Sequence, residues 1–232
     1  MYQDVLVVVP ARSGSRSIVD KNLQLVGRHS LVRRACLAGL SLNGSTVLLT
    51  TDSERIADDV RDLGVTIFFR TPHLGSDTAT TEEVILEVLQ TSYLSQHSTI
   101  VLIQPTSPFI HKDDLSLAIE TYYANPSSTI FSAKKHHCFS WTITNSKWTP
   151  VNHSGLKRSP RQSLPFSVAE NGAFWIFDRK LFLETPSRYC GRPIPVVTSE
   201  ASNYEIDEIE DLSLARDVAP RIDKTLDHLN QY

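Results

Sequence analysis

Three short apolar runs constrain the fold of this chain more than any other feature. They lie at residues 5–9, 46–50 and 99–103, are rich in β-branched residues, and contain no charged side chain. A strand with one solvated face would alternate apolar and polar residues, so these runs predict strands that are buried on both faces. Such strands are typical of a parallel sheet that carries helices on both sides.

Amphipathic helical patterns separate these strands. Ser53 can cap a helix whose apolar stripe ends before Gly64, and residues 80–94 and 112–124 carry apolar stripes of the same period. Weaker strand patterns lie at residues 65–69, 129–132, 173–177 and 194–197. Strand and helix therefore alternate through residue 132, which predicts an α/β layer fold with a mainly parallel sheet.

Residues 133–170 interrupt this alternation. They contain Trp141 and Trp148, two of the three tryptophans. Because aromatic and apolar residues persist there, we interpret the segment as a small inserted subdomain and not as a disordered linker. Beyond it, the tail from Leu212 is predicted to be helical and to kink or split at Pro220. The length of 232 residues fits a single domain, residues 1–232, that includes the insertion.

The net charge of −3 conceals an uneven distribution. Residues 1–34 hold six basic and two acidic side chains, whereas residues 200–232 hold nine acidic and three basic ones. A basic end can bind phosphates and an acidic end can bind a cation, but charge alone favours two solvated faces. The mild overall acidity argues against a protein that coats nucleic acid or an anionic membrane.

Signals for membrane insertion or secretion are missing from the sequence. No apolar run reaches the roughly 18 residues that span a bilayer, and the first residues lack the basic segment of a signal peptide. Cys36, Cys138 and Cys190 lie far apart and suit reduced thiols. We therefore expect a cytoplasmic protein.

A basic loop follows the first predicted strand. Residues 10–16 read Pro-Ala-Arg-Ser-Gly-Ser-Arg, and Lys21 follows shortly after. Ligands of open parallel sheets bind beyond the carboxyl ends of the strands, where such a loop can direct backbone N–H groups and cations at a phosphate. The loop is neither a P-loop nor a dinucleotide-binding G-x-G-x-x-G, which argues against ATP hydrolysis and NAD chemistry. An exposed basic turn after an edge strand explains it equally well.

These residues resemble the signature of the CMP-sialic acid synthetases, also called acylneuraminate cytidylyltransferases. The family pattern is [IV]-P-A-R-x-G-S-K followed by K-N, and here Arg16 replaces the usual Lys while Ser17 replaces a common Gly. The resemblance extends over nearly the whole chain. Its further segments are 51–57, 70–81, 102–108, 160–165, 171–173 and 206–212. The segment at 102–108, similar to L-L-Q-P-T-S-P, is the most discriminating.

The resemblance implies a fold, a reaction and partners. The fold is the three-layer, Rossmann-like nucleotide-diphospho-sugar transferase fold. The reaction uses CTP and Mg²⁺ and transfers CMP to the anomeric hydroxyl of a nine-carbon 2-keto sugar acid of sialic, legionaminic or pseudaminic type, with release of pyrophosphate. Residues 133–170 match the region through which the family dimerises, so a homodimer is expected. The product is expected to feed surface polysaccharide biosynthesis.

The resemblance also assigns roles to individual residues. The nucleotide is assigned to Ala11, Arg12, Ser13, Gly14, Ser15, Arg16, Lys21, Asn22, Arg70, Asp77 and Thr81. The sugar acid is assigned to Gln104, Thr106, Ser107, Arg161, Gln162, Asn171 and Trp175. Arg12, Lys21 and Asp207 receive catalytic roles.

The acidic segment at 205–207 is the candidate site for Mg²⁺. Asp207 matches the family, and Glu205 stands where Asp is usual. Alternation along an extended segment directs both carboxylates to one side, and Mg²⁺ prefers one or two carboxylates together with phosphate oxygens and water. Asp211 is expected to cap the last helix and not to bind metal.

Three alternative functions remain open at this point. A synthetase for the eight-carbon sugar acid KDO usually carries Q-G-D-E-P where this chain has Gln104-Pro105-Thr106-Ser107-Pro108. A GT-A glycosyltransferase would carry D-x-D after a middle strand, and none is found there. A non-catalytic nucleotide-binding relative is compatible with Ser17 and Glu205.

Overall fold

The computed structural model describes residues 2–15, 17–76, 78–158 and 160–230, without the side chains of Tyr93 and Asn230. The strands, in chain order, are β1 (Val5–Pro10), β2 (Leu25–Val26), β3 (His29–Ser30), β4 (Thr46–Thr51), β5 (Thr66–Phe69), β6 (Thr99–Ile103), β7 (Ser128–Lys135), β8 (Trp141–Thr144), β9 (Lys147–Pro150), β10 (Val168–Asp178) and β11 (Arg192–Val197). The α-helices are α1 (Leu31–Leu40), α2 (Glu54–Val60), α3 (Thr81–Leu89), α4 (Lys112–Ala124), α5 (Arg179–Glu184) and α6 (Ile209–Ile222).

The described residues form one large sheet of seven strands in the order β11-β7-β10-β6-β1-β4-β5. β1 lies near its centre and pairs in parallel with β6 and β4, and β4 pairs in parallel with β5. β10 is antiparallel to both of its neighbours, β6 and β7, whereas β11 is parallel to β7. The predicted mainly parallel sheet is therefore confirmed, with β10 reversed.

Helices cover both faces of this sheet. Along β1, Val5, Val7 and Val9 pack in the same cluster as residues of α1, α2, α4 and α6, whereas Leu6 and Val8 pack with residues of α3 and α5. All five side chains are fully buried. The absence of alternation in the first run thus has a direct cause: each side chain contributes about 1.5–3 kcal/mol by burial, whichever face it occupies. The three-layer prediction is confirmed.

The helix boundaries follow local capping more closely than apolar periodicity. Helix α3 begins at Thr81 because Thr80 and Glu83 form a reciprocal capping box, and it ends at Leu89, earlier than the stripe predicts. Ser53 occupies the cap position of α2 but forms no side-chain cap hydrogen bond. Pro220 lies in the last turn of α6 and does not split the helix, which ends at Ile222 before two short 3₁₀ turns.

The segment between β7 and β10 contains a separate two-stranded hairpin, β8–β9. Asn145 and Ser146 at its turn both have positive φ, 50° and 60°, which is typical of a two-residue turn between strands. The side chains of Trp141, Ile143 and Trp148 are exposed on this hairpin. Its role in dimerisation stays a prediction. No helix within the described residues is both long and apolar enough to cross a membrane.

Candidate active site

A cleft of about 340 Å³ lies at the carboxyl ends of β1 and β6, where an open parallel sheet is expected to bind its ligand. Its lining comes from the loop after β1, the segment at 21–22, Arg70, the start of α3, and the loop after β6. Nine of the predicted site residues meet there: Arg12, Gly14, Ser15, Lys21, Asn22, Arg70, Thr81, Gln104 and Thr106. Arg16 and Asp77, also predicted to bind the nucleotide, lie outside the described residues.

Hydrogen bonds to other parts of the chain fix the loop after β1. Ala11 is buried and donates its backbone N–H to the carbonyl oxygen of Thr50 (3.0 Å). Ser13 donates its backbone N–H and its hydroxyl to the two carboxylate oxygens of Asp52, each at 2.8 Å. The Asn22 side chain donates to the carbonyl oxygen of Arg12 at 2.9 Å. The donors of Ala11 and Ser13, both predicted nucleotide contacts, are thus engaged within the protein.

Positive charge concentrates on one half of the cleft. Arg70 donates to the carbonyl oxygen of Thr50 at 2.7 Å, and burial lowers its pKa, with Asp52 acting in the opposite direction. Arg12 and Lys21 line the same cleft. The first residues of α3 lie beside them, and a helix amino terminus carries partial positive charge. This half of the cleft therefore suits an anion such as a polyphosphate.

The other side of the cleft connects to the acidic segment at 205–207. Gln104 donates its backbone N–H to Ala173 (3.0 Å), and Ile206 donates its own to the carbonyl oxygen of Thr106 (2.8 Å). Ile206 is fully buried, whereas Glu205 and Asp207 on either side of it are exposed. The loop after β6 and the acidic segment at 205–207 are thus joined by a backbone hydrogen bond.

Asp207 connects the acidic segment at 205–207 to the residues that follow the basic loop. The Lys21 ammonium lies 3.3 Å from an Asp207 carboxylate oxygen, and the Ser17 hydroxyl donates to the Asp207 carbonyl oxygen. The Asp211 carboxylate accepts the backbone N–H groups of Asp207 (3.0 Å) and Glu208 (2.9 Å), which lowers the pKa of Asp211. Asp211 therefore takes part in the cap of α6, as predicted. The basic N-terminal part and the acidic C-terminal part of the sequence are therefore in contact here.

Glu205 occupies a confined position beside Gly172. Gly172 has φ +72°, a backbone conformation that favours glycine. A Cβ atom there would lie 2.6 Å from a Glu205 carboxylate oxygen, so the Glu205 side chain would have to move. Although the residue as a whole is exposed, partial desolvation of the Glu205 carboxyl raises its pKa. Asp207 raises this pKa further, while Lys21 and Lys134 act in the opposite direction.

These two carboxylates suit Mg²⁺ that arrives with a nucleotide. Within the described residues, no group of three or more His, Cys, Asp and Glu side chains is placed to hold a metal ion by itself. Mg²⁺ commonly takes one or two carboxylates and completes its shell with phosphate oxygens and water. Asp207, with Glu205 beside it, fits that requirement.

The residues predicted to bind the sugar divide into two groups. Gln104 and Thr106 line the cleft, and Ser107 is buried beside them, its hydroxyl without a hydrogen-bond partner among the described residues. The others lie outside the lining. Arg161 is exposed and donates to the carbonyl oxygen of His137; Gln162 is exposed; Asn171 is buried and donates to Thr198, Ser202 and Asn203; and Trp175 is buried in the core.

Arg188 forms a contact beside the cleft that the sequence motifs do not reveal. Its guanidinium lies over the Trp175 ring, 4.6 Å from the centroid, and donates to both carboxylate oxygens of Glu82, at 2.7 and 3.2 Å. Burial alone would raise the pKa of Glu82, but the hydrogen bond and charge of Arg188 lower it. Because Glu82 follows Thr81, Arg188 joins the start of α3 to β10.

Comparison with known proteins identifies relatives of the chain. A family model described as "Cytidylyltransferase" matches residues 6–228. An N-acylneuraminate cytidylyltransferase of Streptococcus agalactiae serotype III (strain NEM316) is 24% identical over 212 residues, which cover 89% of this chain and 51% of that protein. A CMP-N,N'-diacetyllegionaminic acid synthase of Legionella pneumophila is 26% identical over 222 residues, covering 90% of this chain and 94% of the other. The chain thus spans about half the length of the streptococcal relative.

A solved structure has the same fold. It is the structure of a CMP:2-keto-3-deoxy-manno-octonic acid synthetase complexed with CTP, with a TM-score of 0.68 and 14% sequence identity, covering 94% of this chain and 98% of that one. At this identity the similarity establishes the fold alone, which is the nucleotide-diphospho-sugar transferase fold that the sequence predicts.

Proposed function

The chain belongs to the cytidylyltransferase family, and from this premise we propose that it transfers CMP from CTP to the anomeric hydroxyl of a nine-carbon 2-keto sugar acid. The observation that carries the proposal is that Arg12, Lys21 and Arg70 line one cleft and that Lys21 also pairs with the Asp207 carboxylate. The similar proteins named for N-acylneuraminic and legionaminic acids support the nine-carbon class. A KDO synthetase shares the fold at 14% identity, which leaves KDO as the alternative substrate.

The reaction forms one bond and breaks another at the α-phosphorus of CTP. The anomeric oxygen of the sugar attacks, its proton is lost, and the bond between the α-phosphorus and the bridging oxygen of pyrophosphate breaks. Arg12 and Lys21 would neutralise the triphosphate and the leaving pyrophosphate. Ser15 and the start of α3 would add N–H and hydroxyl donors. Asn22 would hold the loop in place through the Arg12 carbonyl oxygen.

Asp207, with Glu205 as its neighbour, would hold Mg²⁺, which when bound supplies Lewis-acid polarisation of the phosphates and lowers the pKa of the attacking hydroxyl. In the structure the Lys21 ammonium lies beside the same Asp207 carboxylate. Asp207 is 67% exposed, so its carboxylate can take up a second cation without unfolding α6. The capping bonds of that helix come from Asp211.

The sugar acid would bind beside Gln104, Thr106 and Ser107. The Ser107 hydroxyl is buried and has no hydrogen-bond partner among the described residues, as is also true of the Asn171 amide oxygen and the Trp175 indole nitrogen. A sugar hydroxyl can satisfy the Ser107 hydroxyl. Arg161 and Gln162 lie outside the cleft lining, and we assign their predicted contact with the sugar to the cleft of a neighbouring subunit. Asn171 and Trp175 would act through packing around the site.

A pyrophosphate-release assay tests the function. Purified protein with CTP and Mg²⁺ is offered Neu5Ac, Kdn, legionaminic, pseudaminic and KDO acids, with UTP in place of CTP as the control. We expect pyrophosphate with at least one nine-carbon acid and none with UTP. Release with KDO alone would move the assignment to the eight-carbon class. No release with any acid would overturn the enzyme assignment.

We further propose that the chain forms a homodimer through the segment at 133–170. The exposed side chains of Trp141, Ile143 and Trp148 on the β8–β9 hairpin support this proposal, since adjacent exposed apolar side chains are typical of interfaces. Light scattering at micromolar concentration should report a dimer, and Trp148→Ser should shift it toward monomer while Leu214→Ser on α6, also exposed, should not. A monomeric wild type would contradict the proposal. The cytoplasmic location also stays a prediction.

A further inference from the structure

Asp52 does not line the cleft but binds the basic loop after β1. It lies just after β4, the parallel neighbour of β1, and its carboxylate takes two donors of Ser13, the backbone N–H and the hydroxyl, each at 2.8 Å. Both carboxylate oxygens are used, one for each donor. Hydrogen bonds to an ionised carboxylate are stronger than those between neutral groups, so this contact fixes Ser13 firmly against β4.

The contact determines which way the loop presents its neighbouring residues. Arg12, Gly14 and Ser15 line the cleft, whereas Ser13 does not. With Ser13 turned toward Asp52, the residues on either side face the position of a bound polyphosphate. The two further contacts of the loop, from Ala11 to Thr50 and from Asn22 to Arg12, hold the residues before Ser13. Asp52 is the anchor for the part of the loop that follows.

Two effects of Asp52 on an anionic ligand have opposite signs. As a negative charge near the cleft, Asp52 repels phosphate and weakens its binding. As the acceptor for Ser13, it holds the N–H groups of Gly14 and Ser15 in place before the ligand arrives, which strengthens binding because no ordering cost remains. Removal of the carboxylate therefore shows which effect dominates.

We propose that Asp52 is a positioning residue for the triphosphate of CTP, and that this positioning outweighs its repulsion. The proposal rests on the proposed function for the identity of the ligand. It assigns Asp52 no contact with substrate, because its carboxylate oxygens are both engaged by Ser13.

Calorimetric binding of CTP and of inorganic tripolyphosphate, without sugar, tests the proposal. Asp52→Ala should weaken both ligands about tenfold, the equivalent of one charge-assisted hydrogen bond. Asp52→Asn loses the charge but keeps an acceptor oxygen, and it should recover most of the affinity. Asp58→Ala removes an exposed carboxylate of α2 that contacts Arg61 and not the loop, and it should stay within about twofold of wild type.

Equal or tighter binding of both ligands by Asp52→Ala would overturn the proposal, since repulsion would then dominate. Ser13→Ala keeps the backbone bond and should lose only about threefold, which tests the same contact if Asp52→Ala fails to fold. Failure of the proposed function looks different. The proposed function would fail if the wild type bound UTP as well as CTP, or released no pyrophosphate. In either case, the ratio of the tripolyphosphate dissociation constants of Asp52→Ala and wild type would still test the role of Asp52.

Discussion

At the residue scale, Lys21 and Asp207 form an ion pair that joins two residues with proposed catalytic roles. Lys21 is 11% exposed and Asp207 is 67% exposed, with 3.3 Å between ammonium and carboxylate. An ion pair with one solvated partner is worth little, about 0–1 kcal/mol. The contact is therefore better suited to exchange one cation for another than to stabilise the fold.

Asp207→Ala should reduce turnover at least about a hundredfold, because it removes the carboxylate proposed to hold Mg²⁺. The melting temperature should change little, since the side chain is exposed. Asp217→Ala, which removes an exposed carboxylate from α6, is the matched control and should leave kcat unchanged. A kcat within about tenfold of wild type would contradict a metal role for Asp207.

Gly14→Ala tests whether the ligand contacts the loop, because it should change KM for CTP without changing the stability of the fold. Gly14 does not have positive φ, and an added Cβ would meet no atom of the described residues within 4 Å, so stability should not change. If the triphosphate packs against this loop, the methyl group should raise KM for CTP about fivefold or more.

Gly64→Ala is the matched control for Gly14→Ala. An added Cβ there also meets no atom within 4 Å in the part of the chain that the structure describes, but φ is +72°. This variant should lose about 1 kcal/mol of stability and keep its KM for CTP. A Gly14→Ala protein with unchanged KM would show that no phosphate approaches the loop closely.

Among the elements, α3 links the nucleotide half of the cleft to the rest of the sheet. Its start is stabilised twice, by the Thr80–Glu83 capping box and by the bidentate Arg188–Glu82 ion pair over Trp175. The pair joins α3 to the loop before β11, which lies far along the chain. The position of Thr81 in the cleft therefore depends on Arg188, which no local motif marks, as well as on the local capping box.

Arg188→Ala should raise KM for CTP about threefold to tenfold while kcat changes less, because the start of α3 loses an anchor and no reacting group is removed. It should also lower stability by about 1–3 kcal/mol, since Glu82 is left half-buried without its partner. Arg188→Lys should restore little, because Lys cannot reproduce the bidentate bond. Arg192→Ala, an exposed arginine of β11, is the control. An unchanged KM would limit Arg188 to a role in stability.

Across the whole molecule, the C-terminal segment packs back on the first helix. Arg34 of α1 is almost fully buried, forms an ion pair with Asp223, and donates to the carbonyl oxygens of Pro108 and Val26 at 2.6 Å. His228 is buried in the same segment. Burial, followed by the charges of Arg34, His111 and Lys112, lowers the pKa of His228 to about 4, and Asp227 opposes this shift.

The His228 shift predicts a loss of stability in mild acid. The folded pKa lies below the ordinary value of 6.5, so the unfolded chain binds the proton more tightly. Above pH 6.5, His228 is neutral in both the folded and the unfolded chain, and its titration does not reduce the free energy of unfolding. As the pH falls from 6.5 toward 4, protonation of the unfolded chain lowers the free energy of unfolding by up to about 3 kcal/mol. Urea unfolding from pH 7 to 4 should show that wild type loses this amount more than His228→Phe. Parallel curves for the two proteins would contradict the prediction.

The sequence predicts the sheet and helices of this protein well, because burial on both faces leaves a local signature. Strands β1, β4 and β6 are visible as uninterrupted apolar runs, and helix α4 has the predicted bounds of 112–124. The reversal of β10 is not visible, since its residues at 173–177 read like those of a parallel strand. Its direction depends on the path that the chain takes through the segment before it.

The candidate site divides in the same way. The basic loop and the acidic segment at 205–207 are evident from residue types, and the cleft brings together most of the residues predicted to contact the nucleotide. The partners of those residues are not evident. Asp52 lies 39 positions from Ser13, and Asp207 lies 186 positions from Lys21, and apolar periodicity carries no information about contacts at such separations.

The sequence by itself therefore determined the layers of the fold and the chemical groups available at the cleft. Only the tertiary structure decided which donors face the cleft and which are engaged by the protein. The physical reason is that burial of apolar side chains is encoded locally and has no direction. Hydrogen bonds are directional, and each carboxylate binds the donors that the completed sheet places beside it.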